Sequence, residues 1–335
     1  LNHPPKILII RFSSIGDIVL TTPVIRCLKQ QLGAELHYLS KRSFESILAP
    51  NPYLDEIHLI DREISEALPR LKAESFDYII DLHNNLRSRR VRMALGKKTF
   101  TFDKINLQKW LIVNFKINRL PEVHIVDRYL AAVQGLGVGN DGRGLDYFVP
   151  PQEEVSLSDF FAEHQRLETS YIAFVIGAAH QTKRLPVAKI ISICRRISQP
   201  VLLIGGPGER EEGERIAAAA GRHVINTCGE MSLNASASLV RQASAVISHD
   251  TGFMHIAAAF RKPVISIWGN TIPEFGMFPY YPEGMDRNTT VEVQDLACRP
   301  CSKIGFQRCP RGHFKCMQDI DERKILGAIH LKTPD

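Results

Sequence analysis

The sequence predicts an α/β protein built from two doubly wound parallel-sheet units, and three observations carry that prediction. Short β-branched runs recur at strand length, segments with helical apolar spacing separate them, and a Gly/Pro-rich stretch divides the 335 residues into two such series. The strand candidates of the first series are 7–10, 36–39, 57–60 and 78–81, with helical spacing over 18–32 and 64–71. Those of the second are 172–176, 201–204, 224–226, 245–248 and 264–268, with helices expected over 187–197, 209–220, 235–242 and 252–260. The stretch 135–151, with five Gly and two Pro, reads as the break between them. Expected domains are therefore 1–155 and 165–318, followed by a C-terminal helix within 319–335 that packs back on the first domain.

A composition of 44% hydrophobic and 23% charged residues is that of a folded globular chain and excludes collagen-like or disordered sequences. No apolar run approaches the length of a membrane span, and no secretion signal is read at the N-terminus. Seven cysteines, an odd number with four crowded between 298 and 316, do not form an extracellular disulfide framework, so a cytoplasmic protein is expected.

The formal net charge of +6 lies mostly in the first half, where residues 1–150 hold 21 basic against 16 acidic side chains. From His83 to Arg119 ten basic residues, Arg87, Arg89 and Arg90 among them, face the single acid Asp103. Such a run is either a solvated helix face or a landing surface for an anionic partner. Trp110 and Phe115 suit a membrane surface, whereas nucleic acid ranks last because no zinc-finger, RRM or helix-turn-helix pattern is present.

Ligands of parallel α/β sheets gather at the carboxyl ends of strands, so the loops after the strands are where chemistry is sought. The first loop, Arg11-Phe12-Ser13-Ser14-Ile15-Gly16-Asp17, turns tightly and opens a helix. Asp17 there either caps that helix, worth roughly 1 kcal/mol, or serves as a general base. In the second series the loop Gly177 to Pro186 offers small residues and Lys183 as a point charge for a phosphate. Next, Gly205-Gly206-Pro207-Gly208-Glu209 lacks a complete dinucleotide fingerprint but places a carboxylate where a ribose could be held. After 245–248, His249-Asp250-Thr251-Gly252-Phe253-Met254-His255 opens a small-residue helix. Asp250 either caps that helix or orients a sugar while the Thr251 and Gly252 amides hold a diphosphate. His255 alone reads more readily as a core histidine than as a ligand. Asp-Thr-Gly is not an aspartic-protease signature here, because it occurs once and opens a helix.

Taken in order, Ser13 to Asp17, Thr182-Lys183, Gly205 to Glu209 and Asp250 to Ala259 resemble glycosyltransferase family 9, the ADP-heptose:lipopolysaccharide heptosyltransferases. The cysteine-rich tail 298–317 resembles the family's C-terminal region. The resemblance implies a GT-B fold of two Rossmann-like domains facing each other across a cleft, with acceptor in the first and nucleotide sugar in the second. It also implies an inverting transfer of heptose from ADP-heptose to an anionic lipopolysaccharide inner-core acceptor, at the cytoplasmic face of the inner membrane. Carried over residue by residue, Asp17 matches the general base, with Ser14, Gly16, Arg87, Arg89 and Arg90 beside the acceptor. Lys183 with Thr182, Glu209, Met231, Asp250, Thr251, Gly252 and His255 match the donor site, where Glu211 or Glu230 compete with Glu209 and Met231 for their roles. Leu185 stands where the family often has Trp.

No metal is expected in the reaction. Cys298, Cys301, Cys309 and Cys316, with His313, supply enough ligands for tetrahedral zinc, but they contain a single Cys-x2-Cys knuckle. Reduced cysteines in a packed loop are favoured over a structural zinc. Rival readings are a GT-B enzyme with another nucleotide-sugar donor and a non-catalytic nucleotide-sugar-binding protein.

Overall fold

The computed structural model describes residues 3–164 and 170–332 and divides the chain into two compact units, Leu1–Ile105 with Val123–Phe148 and Asn106–Glu122 with Val149–Asp335. The first unit holds five strands, β1 (Lys6–Ile10), β2 (Glu35–Lys41), β3 (Glu56–Ile60), β4 (Tyr78–Asp81) and β5 (Lys98–Thr101). They pair in parallel in the order β3-β2-β1-β4-β5. β1 is central, and Ile7, Leu8, Ile9 and Ile10 are all buried, which is why it reads as a continuous apolar run rather than an alternation. The helical pattern after it divides into Ile15–Val19 and Thr22–Leu32. Pro23 sits in the first turn of the second helix, where its missing N–H is no loss, and Gly33 ends it in the left-handed conformation.

Within that second helix Arg26 is fully buried. Its Nε and Nη2 lie 2.7 and 2.8 Å from the Asp141 carboxylate, Nη2 donates to the Gly144 carbonyl at 2.8 Å, and Nη1 pairs with Asp146. The glycine-rich break is thereby fastened to the first unit by a buried charge whose donors are engaged.

The second unit holds β6 (Ile172–Val175), β7 (Val201–Ile204), β8 (Val224–Asn226), β9 (Ala245–His249), β10 (Val264–Trp268) and β11 (Asn288–Glu292). Their parallel order is β11-β10-β9-β6-β7-β8. Strand β11 lies at an edge and buries only Val291, so its sequence, Asn-Thr-Thr-Val-Glu, carries no apolar run by which to foresee it.

Two segments differ from the expected domain layout. The helix Asn106–Phe115 packs through Ile112 and Val113, together with Leu120, on Ile272 and Phe275, so residues 106–122 belong to the second unit despite their place in the sequence. The C-terminal helix Glu322–Lys332 packs on β9, β10, β11 and the helix Val187–Arg195, burying Ile325, Leu326, Ala328 and Ile329 in the second core. Ser192 Oγ donates to Glu322 Oε2 at 2.6 Å and Lys189 Nζ to the Ile320 carbonyl at 2.8 Å, which fixes that docking. Residue 165, the expected start of the second domain, and residues 333–335 lie outside the described residues. No described helix is long and apolar enough to cross a membrane.

Candidate active site

In the first unit the candidate site side chains collect at the carboxyl ends of β1, β2 and β4. Asp17 is the third residue of the helix Ile15–Val19, whose N-cap is Ser14. Its Oδ2 accepts from the Ser14 amide at 3.1 Å and the Ser14 hydroxyl at 2.8 Å, while Oδ1 pairs with Arg11 Nη2 at 2.6 Å. Burial works to raise the Asp17 pKa, but Arg11 and the two Ser14 donors outweigh it and hold the carboxyl below its usual range. Asp17 is therefore a fixed anion as well as a helix-terminal acceptor, and the two readings of it are compatible.

Arg11 itself is tied on every side. Its Nε donates to the Ser13 carbonyl at 2.8 Å, and its Nη1 donates to the Leu82 carbonyl at 2.6 Å and the Tyr129 hydroxyl at 3.1 Å. Beside this network lies a cavity of about 490 Å³ lined by Phe12, Ser13, Lys41, His83, Asn85, Leu86 and Arg87. His83 stands edge-on to Phe12 with ring centroids 5.0 Å apart, and Arg87 lies over the same ring at 5.9 Å. Burial, with Arg11 and Lys104 nearby, pushes the His83 pKa down to about 3, so its imidazole is neutral. Asn85 caps the helix Leu86–Leu95 by accepting from the Ser88 amide at 2.9 Å, which sets Arg87 at the cavity. Arg89 and Arg90, on the same helix, are exposed and are not among the lining residues. Of the three expected acceptor arginines the structure thus brings one to the cavity. Lys41 and His83 were not singled out in the sequence; the signal that could have found them is their position at or just beyond the ends of β2 and β4.

In the second unit Lys183 Nζ lies 2.6 Å from Asp250 Oδ2, and the Thr271 hydroxyl donates to the same oxygen at 2.8 Å. The N-cap of the helix Gly252–Ala259 is Thr251, so Asp250 is not its cap; its carboxylate instead joins the loop after β6 to the loop after β10. Thr182 is buried, its hydroxyl accepting from the Phe306 amide at 2.8 Å and lying 3.0 Å from Asn270 Oδ1, which makes it an anchor of the 302–307 loop. Gly269 permits this crossing, since a Cβ there would stand 2.6 Å from the Thr182 carbonyl oxygen.

Glu209 is held by Arg184, whose Nη2 is 2.6 Å from Oε1, and by the Gly206 amide, which donates to Oε2 at 2.9 Å. Arg184 Nε in turn donates to the Ala178 carbonyl at 2.8 Å. Gly229 has φ +71°, and a Cβ there would meet Pro207 Cα at 2.7 Å, so only glycine lets the loops after β7 and β8 approach. Buried His249 accepts the Leu185 amide on Nε2 at 3.0 Å, its pKa pushed down to about 3 by burial and by Arg184. His255 is buried within its helix, and Met231 packs on the edge of a core cluster.

A cavity of about 560 Å³ flanks this region, lined by Thr182, Arg184, Leu185, Glu212, Arg308 and Phe314 among others. Lys183, Glu209, Met231 and Asp250 are not among its lining residues, so the cavity and the Lys183–Asp250 pair are separate features of the same loop system. Arg184, Glu212, His249 and Thr271 belong to this loop system or line its cavity, and the motifs did not assign them. The cysteine segment places Cys298 Sγ 3.7 Å from His313 Nε2, but among the described residues it does not bring three ligand atoms together.

Two parallel α/β units, each with polar residues gathered at its strand ends, form the architecture shared with the solved heptosyltransferases. The sequence model for glycosyltransferase family 9 (heptosyltransferase) matches residues 66–307, and the chain belongs to that family. It is 24% identical over 296 residues to lipopolysaccharide heptosyltransferase 1 of Campylobacter coli, covering 79% of this chain and 84% of the relative. The fold is shared with a family 9 glycosyltransferase of Veillonella parvula at TM-score 0.76 and 20% identity, covering 98% of this chain and 96% of that one. It is also shared with the ADP-heptose lipopolysaccharide heptosyltransferase II of E. coli at TM-score 0.71 and 20% identity, over 97% and 98% of the two chains.

Replacing Arg11 by Met removes the charge that offsets burial at Asp17. The Asp17 carboxyl should then titrate at higher pH, read directly by carboxyl-carbon NMR; an unchanged titration point would mean that Ser14 alone holds the anion.

Proposed function

We propose that this protein transfers a heptose from ADP-heptose to a lipopolysaccharide inner-core acceptor in a single inverting displacement. The observation that carries the reading is Asp17, a carboxylate kept ionised by Arg11 and Ser14 at the carboxyl end of the central strand β1. In the proposed step an acceptor hydroxyl attacks the anomeric carbon and gives its proton to Asp17. The new bond joins the acceptor oxygen to the sugar, and the bond from the anomeric carbon to the ADP β-phosphate oxygen breaks, with ADP leaving from the opposite face.

The departing negative charge needs a positive counterpart. Lys183 supplies one by exchanging or sharing its contact with Asp250, and the amides of Thr251 and Gly252 add the positive end of the helix Gly252–Ala259. Glu209 is the candidate acceptor for ribose hydroxyls, oriented by Arg184. His255 and Thr182 act from behind the donor site, as buried supports, and Met231 offers an apolar edge for the base. These groups supply the electrostatics without a metal ion, so the reaction is expected to proceed in chelator.

The acceptor reading rests on Arg87 and Lys41 at the first-unit cavity, where cationic side chains suit a phosphorylated or acidic sugar. Peripheral contact with the cytoplasmic face of the inner membrane is supported by exposed Leu107, Trp110 and Phe115 beside Lys109 and Arg119. A different nucleotide-sugar donor is the second reading, because the diphosphate that Lys183 and the Thr251 and Gly252 amides are proposed to hold is common to every nucleoside-diphosphate sugar.

Calorimetric titration with ADP, UDP and GDP in chelator tests the donor. Selective ADP binding that weakens by about 10- to 100-fold in Lys183→Ala is expected from the loss of one charge-assisted contact; preference for UDP or GDP would overturn the donor. Asp17→Asn should lower turnover by about 10²- to 10⁴-fold while ADP binding survives, and unchanged turnover would leave Asp17 a helix cap only. Arg87→Ala should raise the acceptor KM, with a salt-dependent effect, more than Arg89→Ala or Arg90→Ala does; equal effects would favour a diffuse basic surface over the cavity.

A further inference from the structure

The first unit carries a second cluster of ligating side chains, at the amino-terminal end of its sheet and away from Asp17. His37 on β2 and His58 on β3 are both buried, on adjacent parallel strands whose register sets His37 opposite Glu56 and His58 opposite Leu39. Their rings stack with centroids 5.2 Å apart, and Phe76 stands edge-on to both. His37 Nδ1 lies 2.9 Å from His58 Nε2. Glu74 follows the helix Leu68–Ala73, and one carboxylate oxygen of it lies within 4.8 Å of ring nitrogens of both histidines.

The tautomer of His37 follows from its neighbours. Its Nε2 lies 3.0 Å from Glu35 Oε1, and an ionised carboxylate can only accept, so Nε2 carries the proton and Nδ1 presents a lone pair toward His58. A carboxylate behind a histidine in this way is the arrangement that orients imidazole ligands around a metal. Lys6 bridges Glu35 and Glu74 at 2.9 Å each, while Arg70 and Glu56 complete the charges nearby. Without metal, His58 Nε2 carries the proton and donates it to His37 Nδ1, and His58 Nδ1 is buried with no hydrogen-bond partner; metal binding at Nε2 moves that proton to Nδ1. Two imidazoles and one carboxylate are the donor set of borderline divalent cations, and Glu74 is partly exposed to solvent.

We propose that His37 Nδ1, His58 Nε2 and the Glu74 carboxylate bind one zinc-class divalent cation, tying β2, β3 and the segment after the helix Leu68–Ala73 together. The site is structural and independent of the transfer reaction. Its test uses the full chain made without a histidine tag and stripped with chelator, titrated with Co²⁺ as a spectroscopic probe and followed by thermal unfolding with Zn²⁺. Expected are one equivalent of Co²⁺ with d–d absorption and no thiolate charge-transfer band, and a Tm raised by Zn²⁺. Both signals should weaken at least about 10-fold in metal affinity in Glu74→Gln and in His58→Gln, and persist in the Cys298→Ser/Cys301→Ser double variant. Glu74 is partly exposed, so Glu74→Gln tests the site even if the buried His58 substitution disturbs folding. Absence of the Co²⁺ spectrum, metal binding that survives both substitutions, or a thiolate band that disappears with the cysteine variant would each overturn the proposal, the last by placing the metal in the C-terminal segment.

Discussion

The guanidinium of Arg11 is the group on which the first unit's functional edge depends. It leaves the central strand β1 and immediately reaches the Ser13 and Leu82 carbonyls, the Tyr129 hydroxyl and the Asp17 carboxylate. Those partners come from the loop after β1, the loop after β4, the helix Ile125–Val133 and the helix Ile15–Val19. One buried cation thus fixes the relative positions of four segments, and its charge is balanced by the carboxylate proposed for chemistry. A buried charge lacking such partners is strongly destabilising, so fold and site impose the same requirement on this position.

That coupling limits what Asp17 can be. A carboxylate held low by an adjacent guanidinium is ionised throughout the neutral range, ready to accept a proton but only weakly basic. The neutral His83 imidazole at the adjoining cavity adds no competing charge there.

The second unit solves a different problem, the support of a polar loop system. Arg299 donates to the Gly269, Val293 and Thr271 carbonyls and pairs with Glu292, Thr182 fastens Phe306, and His249 receives the Leu185 amide. These bonds satisfy backbone groups that irregular segments would otherwise leave unpaired. Lys183 and Asp250 are set on this framework as a close ion pair. The residues of the motif therefore fall into two kinds: Thr182 and His249 build the support, and Lys183 and Asp250 carry its charge.

Much of this was legible in the chain alone. Strand-length apolar runs at 7–10, 172–176, 201–204 and 264–268 correspond to buried strands, because a parallel strand covered on both faces has to be apolar throughout. The ordered motifs likewise located the loops at Asp17, Lys183, Glu209 and Asp250, since a parallel sheet places such loops at its carboxyl edge. What only the tertiary structure decided were contacts between residues far apart in sequence. Ile112 on Ile272 and Phe275 assigns 106–122 to the second unit, Arg87 rather than Arg89 or Arg90 reaches the cavity, and Arg11 joins Leu82 and Tyr129. Local spacing encodes periodicity and turn chemistry, whereas the pairing of distant side chains depends on how whole elements pack, and no window of neighbouring residues contains that information.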